Sequence, residues 1–247
     1  LSYELTDKSM VYGAVSRAFH MPPGGNRLLN MPVFGPFLRT TFDREVDAEQ
    51  LVAYELGYHG KLWDRLDMRL NGFWHSYDDL VTAEFKPGPP GFFQIYNTNR
   101  LATGMYGAEL ELRWPILKSL TLMGNYTFET LDSGASLTDS GFLTLPKHKF
   151  MVGIRHDLTP DLHLDGYLHY VSGVKCRTRG DPTGITPVDG YFRLDLRAEY
   201  EFWHDRASIA VGVRNLLDPH HPEGGGRALD PTEVPRMVYA EMRMAFK

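Results

Sequence analysis

Two short clusters in this sequence bring together side chains able to do chemistry. His75-Ser76 is followed by Asp78-Asp79, which places a base, a nucleophile and two carboxylates in one stretch. Further on, Asp218, His220, His221 and Glu223 are all metal-ligand types. Geometry weighs against both readings. Adjacent residues of an extended strand point to opposite faces, so His75 and Ser76 cannot share a proton and His220 and His221 diverge. The second cluster is also threaded through Pro219, Pro222 and the run Gly224-Gly225-Gly226, a poor frame for a closed set of ligands. The expectation is therefore of no catalytic residue, no bound metal and no cofactor, with both clusters at aqueous strand ends or in loops.

What carries these clusters is a series of alternating strands. The last stretch puts Val238, Ala240, Met242, Met244 and Phe246 on one face and Tyr239, Glu241 and Arg243 on the other. From Tyr191, the residues Phe192, Leu194, Leu196, Ala198, Tyr200 and Phe202 oppose Arg193, Asp195, Arg197, Glu199 and Glu201. Leu66, Met68, Leu70 and Trp74 likewise oppose Arg65, Asp67, Arg69 and Asn71. Arg17 interrupts the Val11, Val15, Phe19 face of one early strand. About eleven strands are expected in all, over Leu1–Leu5, Ser9–Phe19, Ala48–His59, Arg65–Glu84, Phe93–Trp114, Ser119–Leu131, Leu145–Leu158, Leu162–Val174, Val188–Trp203, Ala207–Leu217 and Val234–Phe246. Roughly 13 residues at ~3.3 Å each, tilted by ~40°, cover about 33 Å, enough to cross an apolar band of ~25 Å.

The connections sort by length. Short ones carrying turn residues lie at Thr6-Asp7-Lys8, Gly60 to Asp64, Pro115 to Lys118, Thr159-Pro160-Asp161 and His204-Asp205-Arg206. Long Pro- and Gly-rich ones lie at His20 to Asp47, Lys86 to Gly91, Asp132 to Thr144, Lys175 to Pro187 and Asp218 to Glu233. Strict short and long alternation is what a membrane barrel shows, with tight turns on the periplasmic side and long loops outside. It leaves the C-terminus in the periplasm. Of the four Trp residues, Trp63, Trp114 and Trp203 fall beside short turns, joined by Phe246, where a membrane-interface girdle is expected. The fold class that follows is all-β: an antiparallel transmembrane β-barrel wall of one domain over residues 1–247, in contact with a lipid bilayer. A soluble β-sandwich has no reason to sort its loops this way and would leave charged faces and strand edges exposed.

Composition agrees. Charged residues are 23% of the chain and the net charge is -5, which argues against a nucleic-acid partner. No stretch of about 18 apolar residues offers a membrane helix. Cys176 is the single cysteine, so no internal disulfide forms. The opening Leu-Ser-Tyr-Glu-Leu has no initiator Met, basic region or apolar leader, and is read as part of a longer exported protein.

Six local patterns occur in order along the chain. They are Tyr12 to Pro22 (Tyr-Gly-Ala-Val-Ser-Arg-Ala-Phe-His-Met-Pro), Glu49 to Tyr58, Tyr106 to Trp114, Leu145 to Phe150, Val213 to Asp218 (Val-Arg-Asn-Leu-Leu-Asp) and the terminal Pro235-Arg236 with Phe246. Together they resemble the C-terminal barrel half of TonB-dependent outer-membrane receptors. Such receptors are 22-stranded barrels with a plugged lumen. The resemblance implies that this chain is the second half of the wall, and that a plug domain, a TonB box and a signal peptide belong elsewhere in the gene product. It implies an active-transport receptor that binds a scarce large solute, a ferric siderophore or cobalamin, and imports it with energy from the TonB complex, without catalysis. The terminal strand would also be read by the barrel-assembly machinery, although Lys247 departs from the aromatic end of the family. Ligand contacts are expected where aromatics and cations meet at the outer end: Arg17, His20, Tyr77, Phe92, Phe93, Tyr96, Arg100, His148, His220 and His221. Aromatic faces and guanidinium groups suit flat, anionic iron chelates. The alternative for each, and the commoner one for a residue taken singly, is a girdle aromatic or a lumen charge paired across strands. The competing function is a stand-alone barrel, either a passive porin or a barrel hydrolase.

Overall fold

The computed structural model describes residues 1–21, 31–32, 38–42, 46–87, 93–132, 145–176, 186–203, 206–218, 220–222 and 233–245. Phe92, Phe246, Lys247 and the His204-Asp205 part of one expected turn lie outside the described residues. Among those described, every regular element is a strand. In chain order they are β1 (Ser2–Thr6), β2 (Ser9–His20), β3 (Met31–Pro32), β4 (Leu38–Phe42), β5 (Glu49–Leu62), β6 (Leu66–Pro87), β7 (Phe93–Leu117), β8 (Leu120–Leu131), β9 (His148–Thr159), β10 (Leu162–Val171), β11 (Val174–Cys176), β12 (Thr186–Val188), β13 (Tyr191–Phe202), β14 (Ala207–Arg214), β15 (His220–Pro222), β16 (Glu233–Pro235) and β17 (Met237–Met244).

Eleven of them form the continuous path β1-β2-β5-β6-β7-β8-β9-β10-β13-β14-β17, the wall that alternation along the sequence leads one to expect. Every neighbouring pair on this path is antiparallel. The remaining six correct the loop assignments. β3 pairs with β4, and β4 lies parallel to β7 from Leu38 opposite Phe93 to Phe42 opposite Asn97. β11 pairs with β12, and β15 with β16, so His220 and His221 sit in a short ladder opposite Pro235 and Val234 rather than in an open loop. Long connections carry many backbone donors and acceptors, and small ladders satisfy them without side-chain help.

Strand ends also differ from expectation. β6 and β7 run on as a hairpin to Pro87 and from Phe93, well past the last paired residue of β8, Leu131 opposite Met105. β7 takes in Pro115, opposite Thr121, next to a register irregularity at the short-turn end where a missing N–H is tolerated. β14 stops at Arg214 because Asn215 adopts a left-handed φ of 56°. That residue is 1% exposed. Its N–H donates to Asp195 Oδ1 (3.0 Å) and its Nδ2 donates to the Val234 carbonyl (2.9 Å). Arg236 donates from Nε to the Asn215 carbonyl and from Nη2 to that of Leu216 (2.6 Å). The Val-Arg-Asn-Leu-Leu-Asp and Pro-Arg patterns are thus two sides of one clasp between β14 and β17.

Register sorts the side chains into two faces. One carries Val15, Leu56, Leu70, Trp74, Tyr106, Val152, Ile154, Leu164, Leu196, Ile209, Val211, Val238 and Met242, each exposed although large and apolar. The other carries ions paired along and across strands: Arg155 with Asp165 (3.0 Å), Arg197 with Glu199 (2.6 Å), Arg193 with Asp195 (3.2 Å) and Lys149 with Glu129. On the same polar face, aromatic rings occupy the space where glycine lacks a side chain. A Cβ on Gly153 would stand 2.8 Å from the Tyr167 ring, and one on Gly107 would stand 2.2 Å from the Phe128 carbonyl and 2.6 Å from the Phe73 ring. Side chains are excluded at both places by contact, not by backbone conformation.

Candidate functional site

The long-loop end of β2, β5, β6 and β7 is stitched together by side chains. His20 Nδ1 lies 2.8 Å from Glu49 Oε2, while the Val81 N–H donates to Glu49 Oε1 (2.8 Å). Arg17 Nη2 donates to Gln50 Oε1 (2.6 Å), and Gln50 Nε2 donates to Asp79 Oδ2 (3.1 Å). Asp79 has a φ of 59° and sits where the β6 register shifts between Tyr77 and Leu80. Asn99 on β7 donates from Nδ2 to the carbonyls of Asp47 and Asp79 and accepts the Asp47 N–H at Oδ1. The bulge therefore holds its shape through Asn99, and the start of β5 is fixed against the projecting β6–β7 hairpin.

Below this stitching lies a cavity of about 400 Å³. Ala18, His20, Glu49 and Leu51 line one side, with Tyr77 and Leu80 from β6, Leu101, Thr103 and Met105 from β7, and Leu131 and Leu145 beyond. Of the ten expected ligand contacts, His20 and Tyr77 meet here. Arg17 occupies the apolar face, opposite Val52 of β5. His148 is also on that face, its ring 5.3 Å from Phe128 and its Nδ1 2.8 Å from the Tyr126 hydroxyl. Arg100 is exposed and precedes the lining residue Leu101. Phe93 and Tyr96 lie in the projecting part of β7, opposite Pro87 and Glu84, and the His220-His221 ladder stands apart from the cavity strands.

The first chemical cluster divides as strand geometry demands. His75 is on the polar face between Phe73, 4.8 Å away ring to ring, and Tyr77. Ser76 is on the other face and its hydroxyl donates to Asp78 Oδ2 at 3.4 Å. No group of three metal-ligating side chains occurs among the described residues.

Aromatics mark two levels on the apolar face. Trp63, Trp114 and Trp203 stand beside the short turns and are 80%, 42% and 58% exposed. A second belt at the long-loop end was not anticipated: Tyr54 stacks on Trp74 at 5.2 Å, Phe150 on Tyr170 at 5.2 Å, and Tyr170 lies 4.7 Å from Phe192. The signal was present, since Tyr126, Phe150, Tyr170 and Phe192 stand in register across four strands. Finding it requires the pairing, which no single strand contains.

One apolar face bounded by two aromatic belts, one face of paired ions, and tight turns confined to one end define the wall of an outer-membrane β-barrel. The family model described as TonB dependent receptor-like, beta-barrel, matches residues 1–216, and the chain belongs to that family. A relative in Vibrio cholerae serotype O1, the iron-regulated outer membrane virulence protein, is 25% identical over 232 residues, 84% of this chain and 33% of its own length. Among solved structures, a mutant of the ferric enterobactin receptor of Pseudomonas aeruginosa in complex with enterobactin superposes with a TM-score of 0.78 at 18% identity, covering 99% of this chain and 40% of that one. The copper transporter OprC superposes with a TM-score of 0.74 at 15% identity, covering 99% and 38%. This chain thus spans about a third of the curated relative it matches, and its eleven-strand path corresponds to the C-terminal half of a 22-stranded receptor barrel. The apolar face meets lipid, the ionic face lines the lumen, and β17 runs toward the periplasm.

Proposed function

We propose that residues 1–247 are half of the barrel wall of a receptor that captures an iron chelate at the cell surface and imports it with energy from the TonB complex. The observation that carries the proposal is the cavity between β2, β5, β6, β7 and β8, open on the lumen face at the end that faces outward. An imported solute has to pass this point. The iron-regulated relative and the ferric enterobactin receptor support iron as the cargo. The copper transporter has the same fold, so the cargo rests on side chains and loops rather than on the barrel. His20 and Tyr77 are the ligand contacts that this reading favours, with Arg100, Phe92, Phe93, Tyr96, His220 and His221 as further contributors. Arg17 and His148 serve the membrane interface in this reading. Contact with TonB belongs to a part of the receptor outside this chain, and β17 is the strand offered to the barrel-assembly machinery.

Uptake of iron-55 from a panel of ferric catecholate and hydroxamate chelates, in cells making the full-length protein, tests the proposal. Accumulation should depend on the protein and vanish when TonB is inactivated. Flux that persists without TonB would support the passive-porin reading instead.

A further inference from the structure

Resting on the receptor reading above, we infer that the outer-mouth cavity seats an apolar limb of the cargo, so that the chelate class taken is amphiphilic, with an acyl or aryl chain beside its metal-binding head. The walls are Leu51, Tyr77, Leu80, Leu101, Met105 and Leu131, and neither Lys nor Arg is among the lining residues. The one carboxylate in the lining, Glu49, is engaged at both oxygens, by His20 and by the Val81 N–H. The Thr103 hydroxyl donates to the Gly104 carbonyl at 3.4 Å. An anionic head placed in this recess would give up hydration and meet no Lys or Arg of the lining, which is costly. A hydrocarbon chain placed there leaves water and gains in proportion to the area covered. The volume, about 400 Å³, lies in the range of small-molecule sites, ~300–1,000 Å³. The head then stays at the rim, in water, within reach of the exposed His20.

The test compares two ferric complexes with the same head, tris(acetohydroxamato)iron(III) and tris(octanohydroxamato)iron(III), binding to the full-length protein in phosphatidylcholine vesicles. Bound iron-55 is corrected for iron taken up by protein-free vesicles. The octanoyl complex should bind at least about ten-fold more tightly than the acetyl one. Met105→Gln and Leu131→Gln should bring that ratio below about three. Ala18→Trp, which fills the recess from its rim, should do the same and guards against a folding defect in the polar variants. Equal binding of the two complexes by the unmodified protein would overturn the inference. A ratio indifferent to all three substitutions would overturn it too. Energised uptake measured alongside separates the two readings: uptake without tail preference sinks only this inference, whereas no TonB-dependent uptake of any chelate sinks the receptor reading with it.

Discussion

Leu196 is the position at which the assignment of faces is most exposed to refutation. It is the sixth residue of the twelve in β13, and twelve residues at ~3.3 Å tilted by ~40° span about 30 Å, so Leu196 lies near the middle of a ~25 Å apolar band. Its partners are Gly166 on β10 and Val213 on β14, both on the same face, and it is 39% exposed. Leu196→Arg therefore puts a guanidinium into hydrocarbon with no carboxylate beside it. The expected cost is ~2–4 kcal/mol, about a 30- to 1,000-fold fall in the folding equilibrium constant. Tyr200→Arg, on the same face but about 10 Å nearer the short turns, should cost only ~0–1 kcal/mol. Arg193→Leu, on the lumen face, removes one half-exposed ion pair with Asp195 and should cost less than ~1 kcal/mol. Urea titrations of the full-length protein in phospholipid vesicles, read by the mobility difference between folded and unfolded forms, give all three values. Equal penalties at Leu196 and Arg193, or no change between Leu196 and Tyr200, would show that the faces or the depth are misassigned.

Other substitutions probe packing and charge. Gly107→Ala should destabilise by ~1–3 kcal/mol in the same titration, because its Cβ meets the Phe128 backbone at 2.2 Å, while Gly124→Ala, with 3.7 Å to its nearest neighbour, should stay within about 0.5 kcal/mol. Asn215→Ala loses the bond to Val234 and strains a left-handed backbone, together ~2–3 kcal/mol, whereas Asn215→Gly keeps the backbone and should cost ~1 kcal/mol; a Gly variant as unstable as the Ala one would remove the conformational part of the argument. At the periplasmic turn, the Lys8 ammonium holds the Asp64 carboxyl below the usual range. A lowered folded pKa means that this stabilisation is complete above the unfolded value of about 3.9 and is lost as pH falls through the folded one. Asp64→Asn should flatten the acid limb of the stability profile there, and an unchanged limb would show that the pair contributes nothing.

The wall was legible because each strand writes its two faces into its own residues. Phe192 to Phe202 and Val238 to Met244 alternate so strictly that pairing had only to confirm them. Turns at Asp7-Lys8 and Pro160-Asp161 were equally local. What escaped depends on contacts between distant residues. The β3–β4 addition, the Asn99 stitching of Asp47 to Asp79 and the upper aromatic belt each join residues far apart in sequence, and no spacing rule reaches that far. His148 shows the same limit: it lies beside a long loop, and only its pairing with Phe128 puts it on the apolar face, whereas alternation with Val11, Val15 and Phe19 already puts Arg17 there.

The rings tucked over Gly107 and Gly153 also bear on what happens inside the barrel. A wall studded with protruding aromatics would grip its contents like teeth, and each displacement would have to lift one knob past another. Rings that fill the hollows left by missing side chains act instead as paving. Beside them Arg155, Arg193, Arg197 and Lys149 are each paired with a carboxylate of the same face. An occupant of the lumen set against that part of the wall would meet broad, shallow contact, in the manner of a bearing rather than a lock.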